Sequence, residues 1–158
     1  MLKRLFPFVQ ETIVSSYSAK EVYRRLWVVT LPGRDAEWEP DVDEKDLLFN
    51  GRVQKSHFRI SLKVKRANNF LPLLRGSIED TSRGSIVFIR YRLFIWTLSF
   101  LIFWSVLTTF FSIYFLYEKA YVNAAFSLAM GIANYAISLL NFKKQVRVSS
   151  HTLRGVLS

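Results

Sequence analysis

The chain has no cysteine and only two histidines, His57 and His151, among its 158 residues. Without cysteine there is no disulfide framework, no thiolate zinc site and no thiol nucleophile. Two histidines are too few for a multi-histidine centre, so no metal ligands are expected. No P-loop, GxGxxG fingerprint or HExxH pair is present, and no spacing nominates a nucleophile, a base and an orienting carboxylate. Glu79 and Asp80 are adjacent, but neighbours on a strand point to opposite faces, so they do not share acid–base work. Together these absences point away from an enzyme and call for no cofactor.

The most informative absence is that of charge after Arg92. From Leu93 to Tyr117, 25 residues pass with no ionisable side chain except Tyr114 and Tyr117. At about 1.5 Å per residue that run reaches roughly 37 Å as a helix, enough to cross the hydrocarbon core of a bilayer. Glu118 and Lys119 interrupt it, a second uncharged run extends from Ala120 to Phe142, and Lys143 and Lys144 close that run. The spacing predicts transmembrane helices over 93–117 and 121–142, joined by a tight turn at 118–120. The rest of the chain is too small to bury such a pair in water. Arg83, Arg90 and Arg92 precede the first span; Lys143, Lys144, Arg147 and Arg154 follow the second, and the turn is net neutral. The positive-inside rule then places both termini in the cytoplasm, with 143–158 as a basic cytoplasmic tail. Lys3 and Arg4 precede an apolar run too short, and broken by Pro7, for a signal peptide.

Small and polar side chains recur along both spans. Thr97, Ser105, Thr108 and Ser112 fall on one side of the first; Ser127, Gly131, Asn134 and Ser138 recur at steps of three or four along the second. Helices in lipid associate through close backbone approach and interhelical hydrogen bonds, so these residues mark a packing face. Either the stripes meet within one hairpin, the favoured reading, or Gly131 and Asn134 mediate oligomerisation or line a pore.

Residues 1–92 hold 17 basic and 11 acidic side chains and read as a cytoplasmic α+β domain. A strand is expected near Phe8–Val14. Ser18-Ala19-Lys20-Glu21 reads as a capping box opening a short helix with Val22, Tyr23, Leu26 and Trp27 on one face, ended by Pro32-Gly33. Residues 35–46 form an acidic loop, seven of twelve being Asp or Glu. Strands follow at 47–54, with Gly51 a possible bulge, and at 58–65, where Phe58, Ile60, Leu62 and Val64 alternate with Arg59, Ser61, Lys63 and Lys65. Two more are expected at Phe70–Glu79 and Ser85–Arg92 around a loop at 80–84, with Pro72 suggesting an edge position or a later start. The fold class is thus a membrane α+β protein: a small N-terminal antiparallel β-meander with one short helix, then a two-helix transmembrane hairpin.

Residues 51–92 carry ten basic and two acidic side chains. Anionic headgroups of the inner leaflet explain such an excess, at on the order of 1 kcal/mol per well-placed cation. An anionic ligand such as a nucleotide, held by Arg59, Lys63, Lys65 and Arg75, is the competing explanation. Nucleic acid is not expected, since no helix-turn-helix, zinc finger or RNP-type aromatic pair is visible.

Phe49, Gly51, Val53 and Phe58, then Asn69-Phe70-Leu71-Pro72, Gly76, Ile78 and Gly84, lead into the paired apolar helices. Over residues 47–140 this run resembles a loosely defined group of small uncharacterised bacterial membrane proteins, in which a β-rich cytoplasmic region precedes a membrane hairpin. The resemblance implies a bacterial inner-membrane location and a shared architecture, and no activity. Two functions fit: a membrane-anchored accessory or interaction protein, a subunit of a homo- or hetero-oligomer; or an antiphage-type effector whose cytoplasmic domain binds an anionic nucleotide while the hairpins oligomerise and perturb the membrane.

Overall fold

A computed structural model describes residues 7–32, 46–64 and 68–157. Lys65 and the acidic loop, Asp46 excepted, lie outside them. The elements are β1 (Phe8–Ser15), α1 (Ala19–Val28), β2 (Thr30–Pro32), β3 (Phe49–Val53), β4 (His57–Leu62), β5 (Pro72–Thr81), β6 (Gly84–Leu93), α2 (Ile95–Tyr117) and α3 (Tyr121–Leu157).

The six strands form one sheet in the order β1-β6-β5-β4-β3-β2. Only β3 to β6 form a meander, so the expectation of a simple antiparallel meander is corrected at both edges. β1 pairs antiparallel with the last strand, and β2, a strand the sequence reading had not placed, runs parallel to β3. Between them α1 crosses the covered face and carries the chain from one edge to the other. Pro72 is not at an edge: it opens the interior strand β5 opposite Leu93, at the first position, which tolerates a missing N–H. Gly51 makes no bulge, because the β3–β4 register runs unbroken through it. Its φ of +149° and the Arg59 carbonyl lying against it are what require glycine.

Ser18 caps α1 by accepting from the Glu21 N–H at 3.4 Å. The reciprocal half of the capping box is replaced: the Glu21 carboxylate pairs with Arg24 and Arg25, and the Ala19 N–H donates to Asp80 at 3.0 Å. Val22 and Leu26 are fully buried against the sheet, with Tyr23 and Trp27 packed beside them.

The second long helix does not stop where its apolar run ends. It continues unbroken through the basic segment to Leu157, so 143–157 is the last part of α3 and closes the core. Phe142, Val146, Ser149, Leu153 and Leu157 form one buried stripe at steps of three and four. The sheet is thus covered on one face by α1 and the end of α3, and its core draws on segments far apart in the sequence. Its last turn is held by Ser15, whose hydroxyl donates to the Leu157 carbonyl at 2.8 Å, and by Arg25, which reaches the Val156 carbonyl. A cation and a donor at a helix C-terminus answer both its free carbonyls and its dipole.

Before that closure, α2 and the first part of α3 stand away from the sheet as an antiparallel hairpin. Their side chains are apolar and outward: Trp96 is 84% exposed, Val122 82% and Phe126 68%. Both helices are long and apolar enough to cross a membrane. The turn between them is Glu118-Lys119-Ala120, where Lys119 takes φ +58°. A side chain there costs about 1 kcal/mol relative to glycine. Lys119→Gly is therefore expected to raise the thermal stability of the detergent-solubilised protein, and a lowered midpoint would contradict this account of the turn.

Candidate functional site

The face of the sheet away from α1 and α3 is uncovered, and its register aligns cations. Arg52 lies opposite Arg59, Arg59 opposite Arg75, and Arg75 opposite Arg90, with Gln10 of β1 completing the row. Directly opposed residues on neighbouring strands sit about 4.5–5.5 Å apart, so each guanidinium has a like charge beside it, a destabilising arrangement when nothing neutralises it. All four arginines are exposed, and none makes an ion pair among the described residues. Arginines at that spacing suit an oxyanion, which several planar donors can share.

Toward the hairpin the row opens into a groove of about 1110 Å³. Arg59, Arg75 and Arg92 line it from the sheet, with Lys143 of α3 also at its wall. Arg92 also lies over the Phe8 ring, 5.3 Å from its centroid. The remaining wall is apolar, built from Leu73, Phe94, Ile95 and Leu98. It sits where β6 feeds α2, so a charged surface and the start of the apolar hairpin share one groove.

Of the anion-site candidates read from the sequence, Arg59 and Arg75 are brought together as cross-strand neighbours. Lys63 lies just past the end of β4, its N–H donating to the Leu48 carbonyl at 2.7 Å, and is not among the groove residues. Lys65 lies outside the described residues. Arg52, Arg90, Arg92 and Lys143 stand outside those candidates. Strand register is what reveals the first two, and α3 turning back onto the domain is what reveals Lys143.

The packing candidates divide into two groups. Ser112 donates to the Ala124 carbonyl and Ser127 to the Thr108 carbonyl, both at 3.0 Å. The Gly131 backbone comes so near α2 that a Cβ there would lie 2.5 Å from Thr108 Oγ1. These four make a seam inside one hairpin. Ser105 donates back to Leu101 within its own helix. Thr97 serves a different contact, donating to the Asn69 carbonyl at 2.8 Å and so tying the first turn of α2 to the β4–β5 loop. Asn134 and Ser138 line a pocket of about 260 Å³ shared with Asn69 and Trp96.

On the covered face, Glu11 is the centre of a polar network. Its carboxylate accepts from the Tyr91 hydroxyl at 2.7 Å, from Ser150 at 2.9 Å and from Arg154 Nε at 2.7 Å. Burial alone would raise its pKa, but these donors and the Arg154 charge outweigh it and hold the carboxyl below the usual range. The Tyr91 phenol is pushed well up, first by burial and then by the carboxylate it serves. The network joins β1 and β6 to α3. Among the described residues no three His, Asp or Glu side chains gather as metal ligands.

No protein-family model matches the chain, and no curated protein matches it significantly. Among solved structures, it is similar to the solution NMR structure of a polyketide-cyclase-like protein from Corynebacterium glutamicum. That likeness covers 90% of this chain and 93% of the other, at 14% identity and a TM-score of 0.32. At that level it assigns neither a family nor an activity.

Proposed function

We propose that this chain is a membrane-anchored interaction protein: a two-helix hairpin spans the bilayer, and a sheet-and-helix domain on its cytoplasmic side presents a basic face to acidic partners. The observation that carries this reading is the change of character along α3. One continuous helix exposes apolar side chains through its first part and buries Phe142, Val146, Leu153 and Leu157 in the domain core through its last. Outward-facing aromatic and branched residues over two helices are unfavourable in water and favourable in lipid. Because the helix is unbroken, the domain is held rigidly at the membrane surface. An accessory role in an assembly fits a sequence in which no spacing nominates a catalytic constellation. The nucleotide-gated effector gains nothing from the hairpin, whose seam residues close on one another.

The cysteine-free chain makes the test direct. Single cysteines are introduced by Lys119→Cys in the α2–α3 turn and Ser82→Cys in the β5–β6 turn, and whole cells are treated with a membrane-impermeant maleimide. The first variant is expected to label in intact cells and the second only after lysis. Labelling of both, or recovery of the protein in the soluble fraction, would overturn the reading.

A further inference from the structure

We propose that the groove at the base of the sheet is a binding site for one anionic phospholipid, its phosphate held by Arg59, Arg75 and Arg92 and its acyl chain laid along Phe94, Ile95 and Leu98. The inference rests on the membrane reading above and deepens it. Two chemistries that rarely meet on a soluble surface share this groove. One wall is an arginine cluster with no ion pair among the described residues; the other is apolar and runs directly into α2. A soluble anion would use the first wall and leave the second bare. A neutral lipid would use the second and leave the arginines unneutralised. A phospholipid with net negative charge satisfies both, and it is already present at the depth where β6 becomes α2. Lys143 extends the cationic wall to the point where α3 re-enters the domain.

The site is distinct from diffuse attraction of a basic surface to an acidic leaflet. Diffuse attraction weighs each cation at similar height alike, about fivefold in affinity apiece. Arg52 shares the cross-sheet row with Arg59 but lies outside the groove, so the two separate the cases.

The full chain is reconstituted in phosphatidylcholine nanodiscs doped with phosphatidic acid, and retained lipid is counted by native mass spectrometry. The expected result is one phosphatidic acid per chain. Arg59→Gln and Arg75→Gln should each lower its occupancy by about tenfold or more, and Arg52→Gln by no more than about twofold. Removing either groove arginine also removes a like-charge neighbour, so thermal stability in zwitterionic discs is expected to hold or rise, which excludes unfolding as the cause. Equal losses from Arg52→Gln and from the groove variants would overturn the site. So would displacement of the lipid by millimolar inorganic phosphate, which would show an anion site with no use for the apolar wall. Insertion with no anionic preference refutes the site alone, whereas failure of the chain to enter the discs refutes it together with the membrane reading.

Discussion

Replacing Glu11 with alanine is expected to loosen the domain by about 3 kcal/mol. Its side chain is 15% exposed, and its two oxygens hold three donors from two elements. Without it the Tyr91 hydroxyl loses the carboxylate it donates to and is left beneath α3 with only the Ser150 hydroxyl beside it, and Arg154 loses its counter-charge. The first is costly because a buried donor forfeits its hydration; the second costs less, since Arg154 is 62% exposed. Glu11→Gln keeps an acceptor for Tyr91 and should fall between alanine and the native residue. Tyr91→Phe removes one donor and leaves the carboxylate its others, so it should be milder still. The readout is hydrogen exchange in 146–157, which isolates the docking of α3 from the apolar hairpin. Exchange there should quicken by roughly 100-fold in the alanine variant. Unchanged protection would show that the network contributes nothing to holding α3.

The same residue sets an acid limit. A carboxyl whose pKa is lower in the folded than in the unfolded chain contributes stability above its unfolded value and loses it as pH falls through the folded one. Protection of 146–157 is therefore expected to be flat near neutrality and to decline as pH falls below the ordinary carboxylate range. In Glu11→Gln that decline should flatten. A wild-type profile already matching the variant would remove Glu11 as its cause.

Part of this structure was legible because local physics wrote it into the sequence. An uncharged run long enough for a bilayer, broken only at Glu118-Lys119, marks the hairpin, and the Lys119 turn falls within the expected 118–120. Alternation in 58–65 marks β4, whose Phe58 and Ile60 are buried while Arg59 is exposed. What stayed hidden depends on register or on contacts distant in sequence. Arg75 and Arg90 oppose each other because β5 and β6 are joined by the two residues Ser82-Arg83; a loop read as 80–84 loses that pairing. Glu11 meets Ser150 and Arg154 across nearly the whole chain, so no window contains them together. The end of α3 is a different case. The stripe from Phe142 to Leu157 is visible at helical spacing, but Lys143 and Lys144 mark only where the uncharged stretch stops. Charge ends a hydrophobic run without ending a helix.

Gly131→Leu is expected to open the hairpin, and its pattern of rescue identifies which surface Gly131 serves. The Thr108 side chain occupies the space a Cβ would need, with its own Cβ 3.1 Å from that point. Overpacking of this kind costs about 1–3 kcal/mol for a small intrusion, and a leucine adds branches the seam has no room for. Gly131→Ala intrudes least, and Thr108→Ala removes the Oγ1 that it would press on and leaves only the Thr108 Cβ close by. The double variant should therefore be more stable than the sum of the singles, the coupling expected of residues in contact. Resistance of the helices to unfolding in a graded mixture of sodium dodecyl sulfate and mild detergent reads this out. Mass in mild detergent reads something else. Because Ser112, Ser127 and Gly131 all face the partner helix of the same chain, Gly131→Leu should lower hairpin stability and leave the oligomeric mass unchanged. If the mass collapsed while hairpin stability held, the stripe would be an intersubunit face, and the pore-lining reading of Gly131 and Asn134 would return with it.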